Sequence, residues 1–186
     1  MIVCCLGDSI TEGSPYWDSR APAGEPEGQW EHWALLRHPH LDFRNHGIWG
    51  ERTDEIAARF DEAVAGAQAL IVQGGINDIA QGREIAPAFE HLRALVERGL
   101  ELGLPVAVCD VLPWNNGWPD KEQPIRELNA LIATLTVPLL PFHDTLEDPD
   151  RPGRMRADWT NEDGDHPSIA GYRRLGEVAF RPFWSS

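Results

Sequence analysis

The chain has 186 residues, 42% hydrophobic and 25% charged, which fits one soluble globular domain spanning 1–186 and leaves no room for two substantial ones. Its formal net charge of −14 speaks against a nucleic-acid partner and against docking on anionic membranes, since both recruit Lys and Arg to phosphates. Cys4, Cys5 and Cys109 lie in apolar runs and read as small core hydrophobes, with neither disulfide nor zinc spacing.

Met1 leads straight into Ile-Val-Cys-Cys-Leu, with no basic stretch and no long apolar region, so the expected location is cytoplasmic. Ile2–Leu6 is the first strand-like run. Trp30 and Trp33 fall in a helix-like segment as core or half-buried residues. Leu41–Asn45 alternates, with Leu41 and Phe43 on one face and Asp42 and Arg44 on the other, as an edge strand does. Thr53 is positioned to cap a helix that carries Ile56 and Phe60 one turn apart.

Ala69–Gln73 is a third strand run. Pro87 opens a helix carrying Phe89, Leu92 and Val96, which Gly103 closes. Val106–Leu112 is the fourth run. Pro124 opens a helix with Ile125, Leu128, Ile132 and Leu135, and Pro138–Phe142 is the fifth run. The last helix follows Pro167 with Ile169, Tyr172 and Leu175.

Strands alternating with helices predict an α/β fold: a three-layer α/β/α sandwich around a five-stranded parallel sheet. A weak second strand beside a strong first one suits the flavodoxin-like order 2-1-3-4-5. In that order the ends of strands one and three flank the switch point where ligands bind.

Polar, glycine-rich segments follow three of the strands. Gly7-Asp8-Ser9-Ile10 supplies a hydroxyl, Asn45 through Thr53 supplies backbone N–H groups, and Gly74-Gly75-Ile76-Asn77-Asp78 supplies an amide. Asp163-Gly164-Asp165-His166 adds a carboxylate and an imidazole before the last helix. Acyl transfer needs such parts. A serine hydroxyl is a poor nucleophile until a base takes its proton, and a carboxylate fixes the tautomer of that base. Donors aimed at the developing oxyanion are typically worth ~3–4 kcal/mol each.

The four segments resemble the SGNH, or GDSL-type, hydrolases, whose motifs run in the same order along nearly the whole chain. The blocks are Gly-Asp-Ser-Ile, Asn-x-Gly-x-x-Gly, Gly-Gly-x-Asn-Asp and Asp-x-x-His. Ile10 stands where that family usually has leucine. The resemblance implies that Ser9 is the nucleophile and His166 the general base and then acid, with Asp163 orienting the imidazole. It implies an oxyanion hole made by the N–H groups of Ser9 and Gly50 and the amide of Asn77. Asp165 is the competing carboxylate, but an immediate neighbour folds back onto an imidazole with difficulty. Asp8 is expected to brace the Ser9 turn, Asp78 and Asn45 their own loops.

Of eight tryptophans, Trp49, Trp114 and Trp118 lie on loops that could border the cleft, while Trp184 is placed to seal the fold. Loop packing on the sheet is the competing role for those three. The expected partner is a small-molecule ester with a short acyl group, acetyl foremost, on a small alcohol, an aryl group or a sugar. No cofactor and no metal are required. His38, His40 and Asp42 read as a solvated connection, and Glu147, Asp148 and Asp150 as a solvated loop. Rival readings are an acyltransferase, thioesterase or lysophospholipase with the same machinery, and a nucleotide- or carbohydrate-binding module with a vestigial site. Oligomeric state is left open.

Overall fold

The computed structural model describes residues 1–13 and 26–184. Its strands are β1 (Ile2–Gly7), β2 (Asp42–Gly47), β3 (Ala69–Val72), β4 (Val106–Cys109), β5 (Leu139–Leu140), β6 (Glu147–Asp148) and β7 (Arg151–Met155). Its helices are α1 (Ser9–Glu12), α2 (Trp30–Arg37), α3 (Thr53–Ala58), α4 (Phe60–Ala63), α5 (Ile76–Ala80), α6 (Ile85–Glu101), α7 (Glu122–Ile132), α8 (Phe142–Leu146) and α9 (Ile169–Arg174). A π-helical turn, Leu175–Ala179, continues α9.

The first five strands form one parallel sheet in the order β2-β1-β3-β4-β5, with Cys5 paired to Asn45 on one side and Ile71 on the other. Period-two alternation divides the core between the two faces. Val3, Cys5, Ala69, Ile71, Ala107 and Cys109 face a layer containing Trp30, Phe142, Tyr172 and Phe180. Cys4, Leu6, Leu70, Val72, Val106 and Val108 face Ile56, Phe60, Leu92 and Leu128. All three cysteines are free thiols and buried. The alternating second strand is indeed the sheet edge, with Asp42 and Arg44 exposed.

Two strands are shorter than their apolar runs because the backbone finds other partners. Beyond Cys109, the N–H and C=O of Val111 are both taken by the Asn129 side chain, at 2.7 and 2.8 Å. Beyond Leu140, Pro141 has no N–H to extend the ladder, and α8 begins at Phe142.

The segment 53–63 is not one helix but two, broken at Arg59. Thr53 does not cap it. Arg52 occupies that position, and Thr53 gives its own N–H and hydroxyl to the Asp78 carboxylate, both at 3.0 Å. Glu147 and Asp148 are not a solvated loop either. They form the antiparallel β6–β7 hairpin, in which Asp148 is buried against Arg151 and Glu147 accepts from the Gly153 N–H. No helix among the described residues is long and apolar enough to cross a membrane.

Candidate active site

Ser9 sits where β1 gives way to the single turn α1. Asp8 caps that turn by accepting the N–H of Ile10 at 2.9 Å, as a short carboxylate does at a helix start. The Asp8 carboxyl is fully buried, and burial pushes it up to about 6. Gln73, at the end of β3, accepts from the Asp8 N–H (3.1 Å) and from the Thr11 hydroxyl (2.9 Å), tying the turn to the next strand. Gly7 is required here. A Cβ would stand 2.3 Å from Thr11 Oγ1 and 2.5 Å from Gln73 Oε1.

His166 arrives from the far end of the chain. Its Nε2 lies 3.0 Å from Ser9 Oγ and its Nδ1 lies 2.7 Å from Asp163 Oδ2. The other oxygen of Asp163 accepts the N–H groups of Asp165 and His166, at 2.9 and 3.0 Å. Burial works to raise the Asp163 carboxyl, but these N–H groups and the imidazole outweigh it and hold the group below the usual carboxylate range. Asp163 therefore stays ionised beside the ring.

Asp165, the competing carboxylate, points elsewhere. It accepts from the Trp114 indole N–H at 2.6 Å and from the Asn116 amide at 2.7 Å. Asn116 also donates to the Asp163 carbonyl at 2.6 Å, so the loop after β4 clasps the loop that carries the imidazole. Sequence reasoning missed this clasp because nothing local in Trp-Asn-Asn signals a partner some fifty residues on.

The proposed donors gather on the same edge of the sheet. Gly50 has φ +76°, and an added Cβ there would meet nothing within 4 Å. Asn77, second in α5, gives one amide hydrogen to the Glu51 carbonyl at 2.9 Å. Asn45 acts as the expected brace: its amide reaches Glu31 at 3.0 Å and Thr11 O at 2.5 Å, and its own oxygen accepts from Gly47 N–H. Gly47 lies so close under α1 that a Cβ would stand 2.0 Å from Glu12 N.

Of the three loop tryptophans, Trp49 is 60% and Trp118 41% exposed, the latter with Arg154 over its ring at 4.7 Å. Trp114 is half-buried, packed on the core cluster of α6 and α7. Trp30 is wholly buried, and Phe183 and Trp184 pack against the same face of the sheet. The His38 ring packs edge-on against Phe180 at 5.4 Å. Among the described residues, the group that could offer three ligand atoms to a metal is His143, Asp144 and Glu147. Glu147 there already holds Arg126 at 2.9 Å.

A parallel sheet in the order 2-1-3-4-5, with a serine at the end of its first strand in a hydrogen-bonded line with a histidine and an aspartate from the loop before α9, defines the SGNH class. The chain belongs to the GDSL-like lipase/acylhydrolase family, whose model matches residues 5–174. Among solved structures it is similar to a lipolytic protein of the G-D-S-L family from Desulfitobacterium hafniense DCB-2, with a TM-score of 0.78, 20% identity and 95% of each chain covered. It is similar to the lipase/acylhydrolase from Enterococcus faecalis, with a TM-score of 0.71, 21% identity, and 94% of this chain and 90% of that one covered. It is also similar to a variant of the acetyl xylan esterase from Geobacillus stearothermophilus, with a TM-score of 0.74, 17% identity, and 95% and 91% covered. At these identities the likeness concerns the fold. No curated protein matches the chain.

Proposed function

We propose that the protein is a carboxylic-ester hydrolase that works through an acyl-serine. The observation that carries this reading is the line from Ser9 Oγ through His166 (3.0 Å) to Asp163 (2.7 Å). His166 takes the Ser9 proton as Oγ attacks the ester carbonyl, while ionised Asp163 fixes the ring so that Nε2 faces Ser9 and stabilises the imidazolium. The N–H groups of Ser9 and Gly50 and the Asn77 amide receive the oxyanion. His166 then returns the proton to the departing alcohol. Water, deprotonated by His166, then attacks the acyl-serine, and His166 hands that proton to Ser9 Oγ as the acyl–oxygen bond breaks, releasing the acid and free Ser9.

The substrates we infer are short acyl esters, acetyl foremost, of small alcohols, aryl groups or sugars. Exposed Trp49 and Trp118 support an open, aromatic border suited to a flat aryl or sugar leaving group. The fold shared with an acetyl xylan esterase agrees with that choice. A p-nitrophenyl ester series tests it. Turnover should be greatest for acetate and should fall with chain length; a steady rise beyond about eight carbons, the behaviour of a deep apolar pocket, would contradict the short-acyl reading.

A further inference from the structure

Arg59 breaks what its sequence neighbours would continue as one helix. Ile56 and Phe60 are both buried one turn apart, yet α3 ends before Arg59 and α4 starts after it, with Arg59 at φ −107° and ψ 15°. The break turns the guanidinium toward the catalytic edge. Its Nη2 donates to the Gly7 carbonyl at 2.9 Å, and its Nε donates to Glu51 Oε2 at 2.7 Å. Both side chains are largely screened from solvent, 18% and 17% exposed, so the pair is held more firmly than a surface ion pair.

These two contacts reach the segments of all three oxyanion donors. Gly7 is the last residue of β1, two before Ser9. Glu51 follows Gly50 directly, and the Glu51 carbonyl accepts the Asn77 amide. The loop needs such an anchor. Ile48 and Trp49 are exposed, Gly50 is left-handed, and the turn's own bond from Glu51 N–H to Ile48 O is long at 3.4 Å. The Ile48 N–H on Gly7 O and the Trp49 backbone on Glu12 also tie the loop to the nucleophile segment, and Arg59 alone among these contacts joins Gly7 to the Glu51 side chain.

We propose that Arg59 and Glu51 are positioning residues that set the oxyanion donors of Ser9, Gly50 and Asn77 in register with one another. The planar fork of Arg59 spans a carbonyl and a carboxylate at once, which a lysine ammonium on a single stem does not reproduce. The effect should fall on the transition state, because the donors are used there and not in ground-state binding. This inference rests on the esterase reading above.

The test uses Arg59→Lys, Arg59→Met, Glu51→Ala and Glu51→Gln, assayed with p-nitrophenyl acetate well below each variant's Tm. Arg59→Met and Glu51→Ala should lower kcat by roughly tenfold to a hundredfold with KM within about twofold. Arg59→Lys should recover only part of that loss. Glu51→Gln, which keeps an acceptor for Nε, should stay within about fivefold of the parent protein. In a cycle with Asn77→Ala, the loss caused by Arg59→Met should shrink by at least about threefold once Asn77 is gone, because both changes spoil one hole. If Arg59→Met fails to fold, the two Glu51 variants decide the matter. Unchanged kcat with a lowered Tm, or losses that multiply independently in the cycle, would overturn the proposal and leave only a structural staple. Absence of Ser9-dependent turnover in the parent protein is a different failure, and it would sink the esterase reading instead.

Discussion

His166 Nε2 lies 3.0 Å from Ser9 Oγ although 157 residues separate the two. Only the fold brings them together. β1, between β2 and β3, delivers Ser9 to the end of the sheet, and the clasp between the loops 113–118 and 161–166 holds the imidazole beside it. Ser9 is 3% exposed and His166 9%, so their hydrogen bond is largely shielded from competing water.

Asp163→Asn should cost roughly a thousandfold to ten-thousandfold in kcat, because an amide donating to Nδ1 leaves the proton on the nitrogen that must accept from Ser9. Steady-state kinetics with p-nitrophenyl acetate measures this. A loss below tenfold would assign the orienting role to another group.

Asn77→Ala should lower kcat by roughly a hundredfold to a thousandfold and leave KM nearly unchanged, the pattern for a donor that matters to the oxyanion. The substitution also removes the bond to the Glu51 carbonyl, so a small drop in Tm should accompany it. A change confined to KM would argue for ground-state binding.

The two glycines of the second block should fail differently. Gly47→Ala drives a methyl to 2.0 Å from Glu12 N and 2.7 Å from Thr11 C, both backbone atoms of the nucleophile's own turn. It should cost more than ~2 kcal/mol of stability, with activity lost in step. Gly50→Ala meets no neighbour, and its cost is the ~1–2 kcal/mol of a left-handed backbone. Urea denaturation of both variants gives the comparison, and equal destabilisation would contradict the packing seen at Gly47.

Asp110 offers a pH test away from the site. It is buried and accepts the His143 N–H at 2.7 Å, and burial pushes its carboxyl up to about 7. A folded-state pKa above the unfolded value means that its stabilisation is complete below about pH 4 and is lost as pH rises toward about 7. Asp110→Asn keeps the acceptor and removes the charge. Its Tm should decline less than the parent's between those limits and should lie above the parent's in mild alkali. Parallel Tm curves for the two proteins would show that the carboxyl does not titrate as described.

The sheet order was legible because four of its strands are marked by composition: nearly continuous apolar runs at Ile2, Ala69 and Val106, and an alternating run at Leu41. The ends of the runs were less legible. Val111 looks like strand, but its partner is a side chain of α7, and Pro141 ends β5 for want of an N–H. Within the site, Ser9, Asp163 and His166 carried their own motifs, and the structure brings them into line. Arg59 carried none. The spacing of Ile56 and Phe60 reads as uninterrupted helix, and the partners of Arg59, Gly7 and Glu51, are remote in sequence or on the loop before. Trp114 was legible as a loop aromatic. Its bond to Asp165 was not, since that depends on two loops crossing in space.

Ser9 Oγ, as the nucleophile, must take up the acyl group, and covalent labelling addresses that directly. A fluorophosphonate probe should add one label per chain, peptide mass spectrometry should locate it on Ser9, and Ser9→Ala should neither label nor turn over ester while keeping the parent's Tm. A label found on another residue, or undiminished turnover by Ser9→Ala, would contradict the account.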